Sequence, residues 1–399
     1  MNPILRATLV LGAVLFVSVT FAGLCFTACS YSHFGISTGS WSGNFPEKAE
    51  RTEVHELHLA SGSTLRAHTP YGVIRVRASD DGTGSAHAVV RTQGKTVADA
   101  QARLGRARIN VSESAAGTTL SIEFERDADL KGAEPTPSVD FEISVPAGVK
   151  LDLGSDSGDL VAETGPFGES RLVSSYGNLR IENVQGDAVL KSSSGNVSIA
   201  RLSGGAADAQ TDYGNVKISA VDGTAVRART SSGNVRGQDL RAATIALDSD
   251  YGNINVTNAT GKLSTRTSSG NIKLEGVQGA LSVSTDYGRV DIDGIFDALT
   301  AHSSSGDVRV RAGSGSTVAS AWKIDSSYGR VALQAPKDLS FDLDARTDYG
   351  DVDVGYAIEL PAGSTTKKGP AIQGKVNGGG ALVELKSSSG AVSVKPLDP

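Results

Sequence analysis

The sequence predicts an all-β fold in which the chain winds into a single-stranded parallel β-helix, a β-solenoid with about 18–19 residues per repeat. A short phrase recurs at this interval, apolar and polar residues alternate on both sides of it, and no helical pattern separates the alternating segments. The 399 residues include 47 glycines but only 5% aromatic residues, which favours a repetitive β structure.

Residues 1–29 are predicted to be a signal or lipoprotein segment or a membrane anchor. After Arg6 the chain is uncharged and largely apolar as far as Ala28, which is typical of such segments. Cys29 follows Phe-Thr-Ala as in a bacterial lipobox and is the predicted lipid attachment site, although a plain anchor or a signal peptide explains the same run. We therefore expect an exported protein held at a membrane by its N-terminus, facing the periplasm or the cell surface.

Residues 30–50 are rich in Ser and Gly and are predicted to form a flexible tether. Both cysteines, Cys25 and Cys29, precede this tether. No disulfide is therefore expected in the folded body.

Residues 51–150 lack the repeat interval and are predicted to form a mixed β cap with one short helix. The helical pattern covers Val97 to Arg108, and short alternating runs surround it. The phrase TPYGVIRV at 69–76 matches the repeat, so we expect the cap to continue into the solenoid. A cap is needed because an uncovered coil would expose unpaired backbone groups. Asp127 to Ser138 is predicted to be a polar loop.

Residues 151–396 carry the repeats, each of which has a glycine at a predicted coil corner. Ser or Thr always stands three positions before this glycine, Ser or Asp two before, and an aliphatic residue two after. The first eight intervals are 18 or 19 residues. The predicted corner residues are Gly158, Tyr176, Gly177, Gly195, Tyr213, Gly214, Gly233, Tyr251, Gly252, Gly270, Tyr287, Gly288, Gly306, Tyr328, Gly329, Tyr349, Gly350 and Gly390.

The corner residues have a predicted structural role. Glycine allows the sharp bend because it accepts positive φ, and the neighbouring Ser, Thr, Asp and Asn can bond corner backbone groups and stack between coils. Ser and Tyr alternate before the glycine from Ser157 to Tyr328. With one repeat per coil, each tyrosine lies beside a serine and the rings are ~9.6 Å apart; with two repeats per coil, the rings stack directly. The shared register favours one repeat per coil, and the crossover rule favours a right-handed coil.

Three places break the rhythm. Extra residues, including Trp322, lie between Gly306 and Gly329; two tyrosine repeats follow one another at Gly329 and Gly350; and a repeat is missing before Gly390. Leu360 to Gly380 is predicted to be an exposed loop. This loop and the Trp322 region are candidate binding sites, because insertions in a solenoid can carry function, but solvated loops are the alternative interpretation.

These residues resemble the bacterial putative adhesin β-helix repeat family of uncharacterised function, which is related to head-GIN-type adhesin domains. The shared features are the YGVIRV segment at 71–76, the lead-in FEISVPAGVKL at 141–151, the serial SSGN copies and the close GGGALVELKSSSGAVSV at 378–394. The resemblance implies a β-solenoid fold. It also implies an anchored envelope protein, some relatives being linked to envelope stress, and it supplies no catalytic residues.

The residues that could carry chemistry give weak patterns. His55 and His58 are expected to point to opposite faces of a strand, which does not suit a metal pair. The repeated Asp212, Asp250, Asp286 and Asp348 could belong to a glycan-active enzyme or a calcium-binding roll, but a turn favours Asp at this position in any case. The sequence predicts no catalytic residue, no cofactor and no metal.

The charge pattern and the repeats limit the function. A net charge of −6 without a basic run argues against a nucleic-acid partner. We expect a non-enzymatic, adhesin-like scaffold or binding surface of the cell envelope, with the membrane, an envelope glycan or a protein as partner. An envelope-stress sensor acting through a protein partner is the alternative, and a glycan-active β-helix enzyme is a third hypothesis.

Overall fold

The structure, a computed structural model, describes residues 45–125, 135–360 and 369–397. These residues belong to one unit, Gly43–Pro399. The predicted segment 1–29 with Cys29 lies outside the described residues, as does the predicted tether up to residue 44 and most of the predicted loop at 127–138. None of the helices in the described ranges is long and apolar enough to span a membrane.

The N-terminal part contains seven strands and one helix. The helix begins after Thr96, whose hydroxyl oxygen accepts a hydrogen bond from the Asp99 N–H at 3.2 Å. It ends two residues before the predicted end because Ala107 already pairs with Phe124. The elements are β1 (Glu47–Leu57), β2 (Thr64–Tyr71), β3 (Ile74–Ala78), β4 (Gly84–Gly94), α1 (Val97–Arg106), β5 (Ala107–Ser114), β6 (Gly117–Phe124) and β7 (Ser138–Val145).

The central part is a run of strands that follow the repeats. These are β8 (Lys150–Ser157), β9 (Leu160–Glu163), β10 (Ser170–Tyr176), β11 (Leu179–Ser194), β12 (Val197–Tyr213), β13 (Val216–Asp222), β14 (Ala225–Ser232), β15 (Val235–Tyr251), β16 (Ile254–Ser269), β17 (Ile272–Tyr287), β18 (Val290–Ser305), β19 (Val308–Ala312), β20 (Trp322–Tyr328) and β21 (Val331–Ala335). The C-terminal strands are β22 (Phe341–Tyr349), β23 (Val352–Val354), β24 (Ile358–Glu359), β25 (Ala371–Val376), β26 (Leu382–Ser389) and β27 (Val392–Pro396).

Each coil is one repeat, which confirms the predicted solenoid. Strand β12 pairs in parallel with the chain one repeat later, Val197 with Val216 and Ala207 with Val226. The inward positions of successive coils form continuous buried columns along the axis. In the coil that ends at Gly214 the inward residues are Val197, Ile199, Leu202, Ala207, Ala209 and Thr211.

Seven of the coils contain a left-handed backbone residue that was not predicted. Six residues after the corner glycine, seven successive coils have positive φ, mostly at residues other than glycine, such as Ala220 at 53°. This left-handed residue lets positions three apart, such as Ile199 and Leu202, both face the core. The seven residues are Thr164, Asn183, Arg201, Ala220, Asp239, Asn258 and Gly276.

At the N-terminal end, the first coil lies inside the stack. Strands β2 and β3 pair with β8 and β9 on one side and with β6 and β7 on the other. Residues 64–78 therefore form a complete coil. The chain next forms β4, α1 and β5 of the cap, and β6 and β7 then pair with the outer edge of that coil. Antiparallel pairing of β7 with β4, and of β4 with β1, covers the outer edge. Residues 47–50 of the predicted tether form the start of β1, because they pair with β4.

At the C-terminal end, the last coil is also inserted into the stack. Strands β26 and β27 lie between β20 and β21 on one side and β22 and β23 on the other. The spatial order of the corner glycines is therefore Gly329, Gly390, Gly350. Strand β25 pairs antiparallel with β22 and closes this end.

The two predicted insertion sites are loops only in part. The extra residues 313–321 before Trp322 form turns and are mostly exposed. The predicted exposed loop Leu360 to Gly380 contains β25, an end-capping strand, whereas residues 361–368 lie outside the described residues. Trp322 is fully buried, and its ring packs edge-on against Phe296 with centroids 6.2 Å apart. The Trp322 side chain therefore fills the core at a coil of changed length.

Thr265 gives a stability prediction for the core. Its hydroxyl is buried without a hydrogen-bond partner, between Leu247 and Val283 on the adjacent coils. Because valine has the same shape without the unpaired hydroxyl, Thr265→Val should raise the free energy of unfolding by about 1 kcal/mol. Thermal and urea unfolding measure this change. Thr267→Val is the matched control and should destabilise, because the Thr267 hydroxyl donates to Gly252 O at 3.0 Å. An unchanged or lower stability of Thr265→Val would contradict the conclusion that the Thr265 hydroxyl is buried without a hydrogen-bond partner.

Candidate binding face: the tyrosine row

The corner glycines form a ladder in which backbone lies against backbone. A Cβ on Gly252 would lie 2.0 Å from the carbonyl oxygen of Gly233, and the same contact recurs from coil to coil. Positive φ was the predicted reason for these glycines and applies at Gly195, at 153°, but not at Gly177, which has the same close contact. The space beside the neighbouring carbonyl is therefore the common requirement for glycine.

The buried hydroxyls beside the glycines hold neighbouring coils together. Thr211 donates to Gly195 O and Thr230 to Gly214 O, each at 2.9 Å. The same bond is made by Ser174, Ser192, Ser249, Thr267, Thr285, Ser303, Ser326, Thr347 and Ser387. The predicted bonding of corner backbone groups is thus confirmed for these residues, and it fixes the position of the residues that follow.

Asparagines form a second ladder just after the glycines, on the surface. The N–H groups of Asn215 donate to Asn196 Oδ1 at 2.9 Å from the backbone and 3.1 Å from the side chain. Equivalent bonds connect Asp159 through the asparagines to Asn271, whose Oδ1 accepts the backbone N–H of Arg289. This edge of the solenoid is therefore fixed on both sides of the glycine.

Between the two ladders lies a row of exposed tyrosines, which we call the tyrosine row. Paired registers place each tyrosine beside a serine, for example Tyr251 between Ser232 and Ser269. The rings are therefore two coils apart, ~9.6 Å, and the seven of them span roughly 58 Å. The tyrosine row consists of Tyr71, Tyr176, Tyr213, Tyr251, Tyr287, Tyr328 and Tyr349.

The swapped C-terminal coil completes the alternation. In the sequence, Tyr328 and Tyr349 belong to successive repeats, with no serine repeat between them. In the structure, Ser389 lies beside Tyr349, and its coil is inserted against the coil of Tyr328. Tyrosine and serine therefore alternate without interruption through all thirteen corner positions, from Tyr71 to Tyr349.

All seven rings are exposed, from 44% at Tyr71 to 79% at Tyr349, and four successive rings are equally so. Tyr176, Tyr213, Tyr251 and Tyr287 are each 67% exposed, although tyrosine usually places much of its ring against other side chains. Their uniform exposure follows from the repeated backbone. An exposed aromatic series of this length suggests a binding face.

Acidic residues lie beside the rings. Asp212, Asp250, Asp286 and Asp348 each precede a tyrosine and are exposed, so carboxylates line this side of the row. Asp248 lies two residues before Asp250 on the same strand. Burial raises the pKa of its carboxyl, and this effect exceeds the lowering by Arg229 and Arg266 on the neighbouring coils. The repeated aspartates thus form one edge of the tyrosine row.

One cluster with catalytic residue types was missed by the sequence analysis. His302 Nδ1 lies 2.5 Å from Asp325 Oδ2, and His302 Nε2 lies 3.3 Å from Ser304 Oγ. Only the coil pairing brings Asp325 next to His302. Acyl transfer would also need donors for an oxyanion, whereas this strand is paired on both sides and the N–H of Gly306 already donates to Tyr328 O.

Other candidate groups are dispersed. His55 bonds Glu53 and His58 bonds Glu113, each at 3.1 Å, so the two histidines have separate partners. No group of three potential metal ligands occurs within the described ranges. An open depression of about 400 Å³ on a neighbouring face is lined by charges that pair with each other, including Lys273 with Glu275 at 2.7 Å.

Comparison with known proteins gives a family match. The family model described as Toastrack DUF4097 matches residues 74–237, 187–312 and 224–395, which together cover most of the chain. A search of curated proteins found no match.

Several solved structures have detectable similarity to this chain, and these include three crystal structures. They are a "putative cell adhesion protein" from Clostridium sporogenes ATCC 15579 (8% identity, TM-score 0.17, 88% of this chain and 100% of that one), a "putative adhesin" from Bacteroides fragilis NCTC 9343 (12%, 0.24, 88% and 99%) and a "putative adhesin" from Parabacteroides distasonis ATCC 8503 (13%, 0.27, 86% and 97%). Similarity at this level carries no argument about function.

Proposed function

The chain belongs to the Toastrack DUF4097 family, and on that premise we propose that it is a non-enzymatic, adhesin-like binding protein of the cell envelope. The tyrosine row is the observation that supports this function. Seven exposed rings occupy one edge at a constant interval, and the glycine, hydroxyl and asparagine ladders hold that edge rigid. A rigid surface favours binding because little conformational freedom is lost when a partner docks.

We expect the protein to bind, through the tyrosine row, to cell envelopes isolated from the organism that produces it. The full-length protein should sediment with them, and replacing Tyr213, Tyr251 and Tyr287 together with serine should reduce the bound fraction about tenfold or more. The reason is that aromatic side chains dominate the energetics of protein surfaces that bind.

A matched control replaces three exposed cations on other columns, Lys217, Arg229 and Lys273, with serine and should bind normally. Equal binding by the tyrosine variant and the wild type would contradict the proposal. A signalling protein captured by crosslinking in the native host, without binding to envelope material, would favour the sensor function instead.

We also propose that Cys29 attaches the protein to a membrane. The sequence of residues 26–29 supports this assignment, and the apolar run before it would serve as the export segment. The natively expressed protein should carry an acyl mass increment and partition into detergent, and Cys29→Ala should lose both. An unmodified Cys29 in a chain that keeps its first residues would instead indicate a membrane-spanning anchor.

A further inference from the structure

We propose that the tyrosine row binds an extended, uncharged β-1,4-linked glycan, with one sugar over each coil and one tyrosine under every second sugar. This rests on the proposed function and names the partner of the same face. The inference comes from the spacing of the rings, from their alternation with serine, and from the polar columns on either side.

The spacing matches the geometry of such a glycan. Successive coils are separated by ~4.8 Å, slightly less than the advance of one pyranose in an extended β-1,4-linked chain, so the two repeats stay in step over a short oligomer such as a hexamer. Each sugar in that chain is turned over relative to the one before it, so equivalent ring faces recur at every second sugar. The row has the same twofold character, since Tyr213 and Tyr251 flank Ser232.

Tyrosine and serine suit the two kinds of sugar position. The C–H face of a pyranose is apolar and packs well on an aromatic ring, and these rings are already exposed for contact. The small serine between two rings leaves room for the intervening sugar. Its hydroxyl can both donate and accept hydrogen bonds from that sugar.

The flanking columns supply the hydrogen-bonding groups that sugar hydroxyls need. On one side, Asp212, Asp250 and Asp286 accept hydrogen bonds. On the other side, five of the six asparagines of the ladder, such as Asn215, give one side-chain N–H to the preceding coil and keep a second for a ligand. The aspartates would repel an acidic polymer, which is why the proposal specifies an uncharged glycan.

A proline-rich peptide is the other polymer that fits the spacing. A polyproline II helix repeats every ~9.3 Å, and such peptides dock between aromatic side chains. Its backbone offers mainly carbonyl acceptors, however, and would leave Asp212 and Asp250 facing acceptors rather than donors. The donor and acceptor pattern therefore favours the glycan.

The test moves one ring without changing the composition. The double variant Tyr251→Ser with Ser269→Tyr keeps seven tyrosines in the row but breaks the two-coil interval. We expect the wild type to bind insoluble cellulose or chitin and soluble cellohexaose, and the double variant to bind about tenfold more weakly, as the single variant Tyr251→Ser should. Thermal unfolding of both variants should match the wild type, because Tyr251 is exposed and the half-buried Ser269 occupies the equivalent position between two exposed rings.

A second measurement needs no variant. Ring signals of the wild-type tyrosines in an NMR spectrum should shift with cellohexaose or chitohexaose and not with a β-1,3-linked glucose hexamer, whose shape lacks the twofold alternation. Wild-type affinity of the double variant would overturn the spacing argument.

Failure to bind either β-1,4 glycan, together with tyrosine-dependent binding to host envelopes, would overturn the glycan and leave the proposed function intact. If a proline-rich peptide then prevents the protein from binding to those envelopes, the partner of the tyrosine row is a polyproline II segment rather than a glycan. Loss of tyrosine-dependent binding to envelopes as well would overturn both proposals.

Discussion

Gly252→Ala is expected to lower the free energy of unfolding by about 3 kcal/mol or more. The new Cβ would lie 2.0 Å from Gly233 O, and backbone on both sides is held in the sheet, so it cannot move away as a flexible side chain could. The carbonyl of Gly252 also accepts the Thr267 hydroxyl at 3.0 Å, so a shift here would disturb the next coil. Thermal unfolding gives the overall change, and hydrogen exchange of residues 230–270 locates it.

Gly105→Ala is the matched control. Gly105 lies in α1 with no other atom within 4 Å of a Cβ, so alanine should stabilise the helix by about 0.5–1 kcal/mol. Opposite signs for the two substitutions would establish close backbone approach as the reason for the glycine ladder. A mild effect at Gly252 would mean that the coils can separate locally, which the observed register does not allow.

Removal of residues 381–399 is expected to cause the second large loss. The deletion takes away β26 and β27, so β20 and β22 would lose the strand that pairs with both of them and fills the core between their coils. Trp322 and Phe341, both fully buried, would then be exposed to solvent. We expect strongly reduced thermal stability and rapid proteolysis between residues 337 and 380, with the central coils remaining protected.

A point variant separates this effect from simple shortening of the chain. Leu385→Asp keeps the full length but places a charge in the core of the inserted coil, where Leu385 is fully buried. It should give the same pattern of proteolysis. Removing residues 398–399 alone should have no effect, and wild-type protease resistance of the 381–399 deletion would contradict the inserted arrangement.

The central repeats could be predicted because their pattern is local. Hydroxyl, glycine and aliphatic residues recur at fixed positions, and this register alone defined the solenoid and one repeat per coil. The family match confirms the resemblance based on the same residues. Positive φ at Ala220 and Arg201 could not be foreseen, since neither residue type favours that conformation.

The ends of the solenoid could not be predicted because their contacts are distant in sequence. Thr347 bonds Gly390, and Ser387 bonds Gly329, across intervals that the repeat does not encode. Only this pairing shows that Tyr328 and Tyr349 are separated by a serine. The candidate site was therefore visible in the sequence as a series of tyrosines, whereas its unbroken interval appeared only in three dimensions.

The alternation of tyrosine and serine has a consequence for how such a protein can change in length during evolution. Insertion of a single repeat would place two like residues on neighbouring coils and shift every later ring out of phase with the earlier ones. Insertion of two repeats, 37 residues as in the interval from Gly233 to Gly270, would preserve the phase. Because antiparallel strands cover both ends, growth would occur by duplication of paired repeats in the interior, and lengths would differ by even numbers of coils.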